Sequence, residues 1–414
     1  MNRAAIQIKV GLDFGSGIQP VGRLAHRDNL FYFEFDKPFI EKEIEISPYH
    51  FPLKRGLIEL PRRPFEGLAG VFSDSLPDGW GRMLFDRMAR SQGMLPGEVS
   101  VLDRLIYVGL YGMGALVYEP DYSTSERTEP VNLDQLATWA ERVVDGSSVE
   151  VLSELLAING SSAGARPKAL VGLDGKREKI IHGTRDLSQE FDHWLVKFPN
   201  SQDGNDAGAI EFVYAEMAKE AGLTIPETHL FPSDKGRGFF AVKRFDRDGK
   251  NRLHMHTAAG LLHSDFRFPS LDYKDLLNLT GALTKDVREI ERMYRMAVFN
   301  VMAYNRDDHA KNFSFLMNER GEWKLSPSYD ITFSNGPGGE QSTMVMGEGK
   351  NLTSQHLTDL GLTAGLSRKF VDTVLAHTRE ALKLWPRLSR ELGVKKNEHT
   401  ADCQKVGCNG CPLG

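Results

Sequence analysis

The sequence predicts an α+β protein laid out in two lobes, a sheet-rich middle and a helix-rich last third, behind a first stretch of short strands. Three observations carry this. Apolar and polar residues alternate in "AIQIKVGLDF" and "LFYFEF", the period-2 pattern of half-buried strands. Strand-like runs recur through the middle of the chain. From about Leu271 onward apolar residues fall at helical spacing, apart from a hairpin near residues 313–325.

Each element follows in order. "FEGLAGVFSDSLPDGWGRMLFDRMARSQG" is a Pro/Gly-punctuated turn and then a helix from about Gly79, with Met83, Leu84 and Met88 on one face. In the turn, Asp74, Asp78 and Arg82 read as a lock on the first domain, with Asp78 capping the helix. A polar, Pro-flanked break runs from Glu119 to Asn132. Leu133 to Ile158 reads as helical. A small-residue loop, a strand, an Asp-Gly turn and a second strand follow in "NGSSAGARPKALVGLDGKREKIIHG". "HWLVKFP" is a third strand and "GFFAVKRF" another. Between them, "AGAIEFVYAEMAKEAG" carries Ile210, Val213, Met217 and Ala221 on one helical face and stops at Gly222. "DVREIERMYRMAVFNVMAY" places Val287, Ile290, Met293, Ala297, Val301 and Tyr304 on a buried face, and Asp286 with Glu289 resembles a capping box. Phe313, Phe315 and Met317 then alternate as in a half-buried strand, and a turn and strand lead to Asp330.

Composition excludes several classes. A net charge of −5 argues against a protein built to coat nucleic acid or an anionic membrane. No apolar run approaches the ~18 residues of a membrane span, and the first residues lack a signal peptide's apolar core. All three cysteines lie in the last twelve residues, which is no disulfide framework and points to the cytoplasm.

The densest polar stretch is "YNRDDHAKN", Tyr304 to Asn312, directly after the apolar helix. It is either a capped interhelical loop or a site of chemistry. Arg306-Asp307 with Asn312 five residues after the Asp matches the R-D-x-x-x-x-N of protein-kinase catalytic loops. There the Asp takes the substrate hydroxyl proton and the Asn holds magnesium. Asp330, after the hairpin, stands where a second metal-binding Asp is needed, and carboxylate and amide oxygens are the hard donors that magnesium prefers. Upstream, Gly160 and Gly164 in "NGSSAGARPKALV" permit close approach of backbone N–H groups to phosphates. By itself this loop is a weak signal and reads first as a plain turn. Trp194, Val196 and Phe198 share one face of their strand, so Lys197 points to the other and needs an anion. Its alternative is a solvated surface lysine. The next helix offers Glu211 and Glu216 as partners, the strand-Lys, helix-Glu arrangement of kinases.

Together these segments, with "FEGLAGVFSDSLPDGWGRMLFDR", "FAVKRFDR", "NRDDHAKNFSF" and "LSPSYDITF", resemble the HipA family of serine/threonine kinases, toxins of bacterial toxin–antitoxin modules. The resemblance covers roughly residues 1–385, in order. It implies a small β-rich domain over 1–125 and a protein-kinase-like body, with the N-lobe over 133–270 and the C-lobe over 271–394. It implies use of ATP and Mg²⁺, a helix-turn-helix antitoxin partner that carries the contact with DNA, and a protein substrate of the aminoacyl-tRNA synthetase class, whose inactivation stops translation. By matching positions, Asp307 is the catalytic residue, Asn312 and Asp330 are metal ligands, and Lys197 is the phosphate clamp. Ser162, Ala163, Gly164 and Lys168 belong to the phosphate loop. Val242, Lys243 and Phe245 lie beside the adenine, and His309 and Lys311 contact nucleotide. Ser161 matches the regulatory autophosphorylation position, where added charge would repel nucleotide or expel the loop.

The tail, residues 395–414, departs from the family. His399, Cys403, Cys408 and Cys411 are spaced H-x3-C-x4-C-x2-C, four ligands able to hold Zn²⁺; the alternative is a tail with reduced cysteines. Two rivals to an active kinase remain. One is a nucleotide-holding pseudokinase serving as an antitoxin-dependent co-repressor scaffold, against which the complete set Lys197, Asp307, Asn312 and Asp330 argues. The other is a metal-dependent hydrolase using Asp307, Asp308 and His309, which leaves Lys197 and the Gly-containing loop without a task.

Overall fold

The computed structural model of the chain describes residues 6–122, 129–146, 151–159, 164–183, 187–200 and 204–395. Its first sheet contains β1 (Ile6–Asp13), β2 (Ile18–Arg27), β3 (Leu30–Phe35), β4 (Leu57–Glu59) and β5 (Leu116–Glu119), in the order β4-β3-β2-β1-β5. The alternation read from the sequence puts Ile8, Val10, Leu12, Phe33 and Phe35 on the buried face, where Phe33 and Phe35 meet Phe39, Phe51 and Phe72. Each such ring contributes ~1.5–3 kcal/mol by leaving water.

The second sheet is antiparallel: β6 (Lys168–Asp174), β7 (Ile180–His182), β8 (Phe191–Lys197), β9 (Thr228–Phe231) and β10 (Phe239–Lys243), ordered β7-β6-β8-β10-β9. Ala169, Val171, Trp194, Val196 and Ala241 bury one face. The cover is three helices, Gly79–Ser91, Leu133–Val144 and Leu152–Asn159. The stretch expected as one helix from Leu133 is therefore two. In Gly79–Ser91 the deeply buried side chains are Trp80, Leu84 and Phe85, whereas Met83 and Met88 are half-buried at the edge of the face. Because Trp80, Leu84 and Phe85 pack into this second core, the helix ties the N-terminal segment to the sheet of the body.

The helices of the last third, Tyr273–Thr284, Val287–Met302, Ser354–Thr363, Arg368–Leu382 and Trp385–Glu391, share one large core with Ala207–Glu220 from the middle of the chain. Val287, expected on the buried face, is 59% exposed because it starts the first turn; the burial begins in earnest at Met293. Asp286 does cap this helix, its carboxylate accepting from the Arg288 N–H, but no capping box closes. Glu289 turns inward instead, accepting from Arg292 and from the Leu325 N–H. A ribbon of β11 (Arg247–Asp248) and β12 (Asn251–Arg252) leads to β13 (His254–Thr257). β13 pairs with β14 (Ser314–Met317) of the expected hairpin, whose other strand is β15 (Trp323–Leu325). With a neighbour on each side and cover on both faces, β14 is buried throughout rather than half-buried.

Candidate functional site

A cavity of about 450 Å³ lies where the second sheet meets the loop Tyr304–Asn312, a volume ordinary for a nucleotide-sized ligand. Gly164, Lys168, Lys197, Val242, Lys243, Phe245, Asp307, His309, Lys311, Asn312 and Asp330 all line it. Ser161, Ser162 and Ala163, and the tail residues His399, Cys403, Cys408 and Cys411, lie outside the described residues.

Strand register sets the cationic wall. Lys168 opens β6, Lys197 closes β8, and the two are directly opposite in the β6–β8 pairing. Like charges opposite one another destabilise a sheet unless anions offset them. Lys197 meets that need by pairing with Glu211 of helix Ala207–Glu220 and with Asp330 at 2.5 Å. Glu216, the other carboxylate offered by the sequence, faces outward and pairs with Lys219. Burial alone would lower Lys197, but Asp330 and Glu211 overcome it and hold the ammonium above its ordinary range. Lys168 is pushed down to about 8, first by burial and then by Lys197, against the opposing pull of Asp330, Asp78 and Glu211. Lys197 in turn holds the Asp330 carboxyl well below the usual range. Asp330 sits at φ +54, a left-handed conformation uncommon outside glycine and best tolerated by Asp and Asn.

The facing wall is the loop after helix Val287–Met302. Its two adjacent aspartates differ sharply. Asp308 is fully buried and accepts from Tyr273 Oη (2.6 Å), Gln341 Nε2 (2.9 Å) and the N–H groups of Ser342 and Thr343. Asn300 and Asn305 extend this network. It pins the loop to the 341–343 segment and leaves Asp307 at the cleft. Burial raises the Asp307 carboxyl above its usual range; His309 opposes and Asp330 adds to the rise. Asn312 donates Nδ2 to the Asp307 carbonyl at 2.8 Å, leaving its Oδ1 as the acceptor end. The cavity lining also includes the apolar side chains of Leu195, Ile225, Phe240, Val242 and Phe245, a surface suited to a flat ring.

The donors Asp307, Asp330 and Asn312 Oδ1 fit magnesium, which takes one or two carboxylates and completes its shell with phosphate and water. Among the described residues no group of three or more His, Cys, Asp or Glu is gathered to hold a metal without such help.

Asp78, expected as a helix cap, does something else. It begins the helix Gly79–Ser91 but makes no side-chain cap bond. Its carboxylate reaches the cavity instead, accepting from the Gly164 N–H (2.6 Å) and pairing with Lys311 (2.5 Å). Asp74 does lock the first domain, accepting from the Thr257 N–H and hydroxyl and from His256. Arg166 is a further cation of the site. It lines the cavity 3.8 Å from Glu211, and its only signal in the sequence is a cation inside a small-residue loop.

Comparison with known proteins gives the family. The HipA N-terminal domain model matches residues 15–119 and the HipA-like C-terminal domain model matches residues 160–385. The chain belongs to the HipA family. The serine/threonine-protein kinase toxin HipA of Shewanella oneidensis is 26% identical over 290 residues, 62% of this chain and 60% of that protein. Two candidate kinases of Sinorhizobium fredii are similar as well. Y4mE is 25% identical over 77% of this chain and 78% of its own length. Y4dM is 26% identical over 48% of this chain, which spans about half of that relative (53%). The HipA chain in a Shewanella oneidensis complex of HipA, HipB and operator DNA superposes with a TM-score of 0.71 at 17% identity, covering 97% of this chain and 96% of that one. That match shows a shared fold, mixed helix and sheet with a two-lobed body. Among the described residues no helix is long and apolar enough to cross a membrane.

Proposed function

We propose that this HipA-family chain is an ATP- and Mg²⁺-dependent protein serine/threonine kinase acting as the toxin of a toxin–antitoxin module. One observation carries the reading: Lys197, paired with Glu211 and Asp330, faces Asp307 and Asn312 across a nucleotide-sized cavity. Magnesium and ATP, when bound, supply the transferable phosphoryl group and the charge that neutralises it. The chain's own groups then divide the work. Asp307, raised by burial, is a better proton acceptor than an exposed carboxylate and takes the proton of the substrate hydroxyl. Asp330 and Asn312 would hold the metal. Lys197 and Lys168 orient phosphate oxygens, and Glu211 keeps Lys197 from swinging away. The apolar lining with Val242 and Phe245 takes the adenine.

The family relationship supports a protein substrate, with an aminoacyl-tRNA synthetase as the class to test first. It also supports a HipB-like helix-turn-helix antitoxin through which DNA is reached, and a cytoplasmic site of action. Ser161 is the position at which autophosphorylation would switch the kinase off. The test is transfer from γ-labelled ATP into a bacterial lysate and into the chain itself. Wild type should label a discrete protein band and Asp307→Asn none. Mass spectrometry should find phosphate on Ser161 in wild type alone. Equal labelling by the folded mutant would remove the kinase assignment.

A further inference from the structure

The Gly164 peptide is held from both sides by three consecutive residues of the N-terminal segment. Its N–H donates to Asp78 Oδ1 at 2.6 Å, and its carbonyl accepts from the Trp80 N–H at 3.0 Å. Gly79, between them, has φ +45, and a Cβ there would meet the Gly164 oxygen at 2.5 Å. The approach therefore requires glycine at 79. The clamp does not float, because the Trp80 indole is buried in the core beneath the second sheet. The second Asp78 oxygen takes Lys311 Nζ at 2.5 Å, from the catalytic-loop stretch, and Lys311 lies 4.4 Å over the Phe266 ring. One carboxylate thus joins parts of the chain that are 86 and 233 residues away from it.

We infer that Asp78 is a positioning residue for phosphate binding, a latch by which the N-terminal domain holds Gly164 of the phosphate loop against Lys311 of the catalytic loop. The inference rests on the kinase reading above and adds a component to that site. A carboxylate beside phosphates would repel them if its charge were free. Here each oxygen is engaged by a donor, and both bonds are charge-assisted, the stronger kind. The latch engages Gly164 and Lys311, residues that the kinase reading sets against the phosphates rather than the adenine. Its loss should weaken ligands that carry phosphates and spare those that do not. It also makes the N-terminal domain part of the nucleotide site rather than an appendage.

The experiment compares wild type, Asp78→Ala and Asp78→Asn in the full-length chain, with melting temperature as the control for folding. ATP·Mg²⁺ and adenosine are titrated separately by calorimetry. Deuterium uptake of the peptide containing Gly164 is followed without nucleotide. Asp78→Ala should bind ATP at least about tenfold more weakly, bind adenosine as wild type does, and exchange faster at Gly164. Asp78→Asn keeps an acceptor for the Gly164 N–H but loses the charge facing Lys311, so it should protect Gly164 and recover only part of the ATP affinity. ATP binding by Asp78→Ala equal to or tighter than wild type would overturn the latch, and would mean that the carboxylate merely occupies a phosphate's seat. Unchanged Gly164 exchange in Asp78→Ala would overturn it as well. If wild type binds neither ATP nor adenosine, the kinase reading fails, and the exchange measurement still decides the latch.

Discussion

Two buried charge clusters use the same residue types to different ends. At the junction between the N-terminal domain and the body, Asp246 accepts from Arg244 twice, from Arg247 and from the Gly114 N–H. Arg252 reaches Asp13 and the carbonyls of Leu110 and Gly114. Arg247 takes the carbonyls of Gly112 and Gly114. Both Asp246 oxygens are occupied, and the cluster staples the 110–114 loop onto β11 and β12. In the cleft, Lys168 and Lys197 stand opposite each other beside an open cavity, and Asp307 carries no hydrogen bond on its carboxylate among the described residues. Density of polar groups therefore does not distinguish a scaffold from a site. What distinguishes them is whether the groups satisfy one another or face a space that a ligand must fill.

The comparison can be broken at the junction first. Asp246→Ala leaves the two buried guanidiniums of Arg244 and Arg247 short of their anion and should cost about 3–5 kcal/mol of stability, read by denaturant titration, while the folded fraction keeps its activity per molecule. Burial would raise the Asp246 carboxyl, and Arg244 and Arg247 overcome it and hold it far below the ordinary range. Its contribution is thus present above about pH 4 and lost as pH falls below that of the unfolded carboxyl. Asp330→Asn should do the reverse. Phosphoryl transfer should drop at least ~10²-fold, as expected for a lost metal ligand, with the circular dichroism unchanged. Stability lost by Asp330→Asn with activity retained would invert the distinction.

The adjacent aspartates sharpen it. Asp308→Asn turns an amide N–H toward groups that are themselves donors and should cost about 1–3 kcal/mol, seen as a lower melting midpoint, before any effect on metal affinity. Lys168 supplies the pH test. With the ammonium lowered to about 8, ATP affinity should decline several-fold from pH 7 to about 9.5 as its charge is lost, and Lys168→Arg should flatten that profile. The linkage to folding has the opposite sign. Between pH 8 and the unfolded value of about 10.4 the unfolded chain binds more protons at this residue, so its contribution to stability rises with pH. The smallest effect belongs to Lys243, whose pair with Asp192 is part-exposed. Lys243→Ala should change stability by less than ~1 kcal/mol.

Much of this was legible in the chain. Alternation in "LFYFEF" and "HWLVKFP" and helical spacing before Tyr304 predicted the elements, because burial of one face repeats with the period of the backbone. The spacing from Asp307 to Asn312 and the position of Asp330 after a hairpin were readable for a similar reason: a loop between two packed elements keeps its side chains in order. Local pattern could not choose Glu211 over Glu216, since both lie on the same helix and only the docked sheet shows which one faces Lys197. Nor could it give Asp78 its partners, because an Asp before a helix reads as a cap wherever it occurs. The Lys168–Lys197 register, the saturation of Asp308 and the seizure of Gly164 by Asp78 all join residues separated by tens to hundreds of positions. The sequence by itself determined the elements and the chemistry each one carries. The tertiary structure alone decided which charges meet, because a charge finds its partner across the packed lobes rather than along the chain.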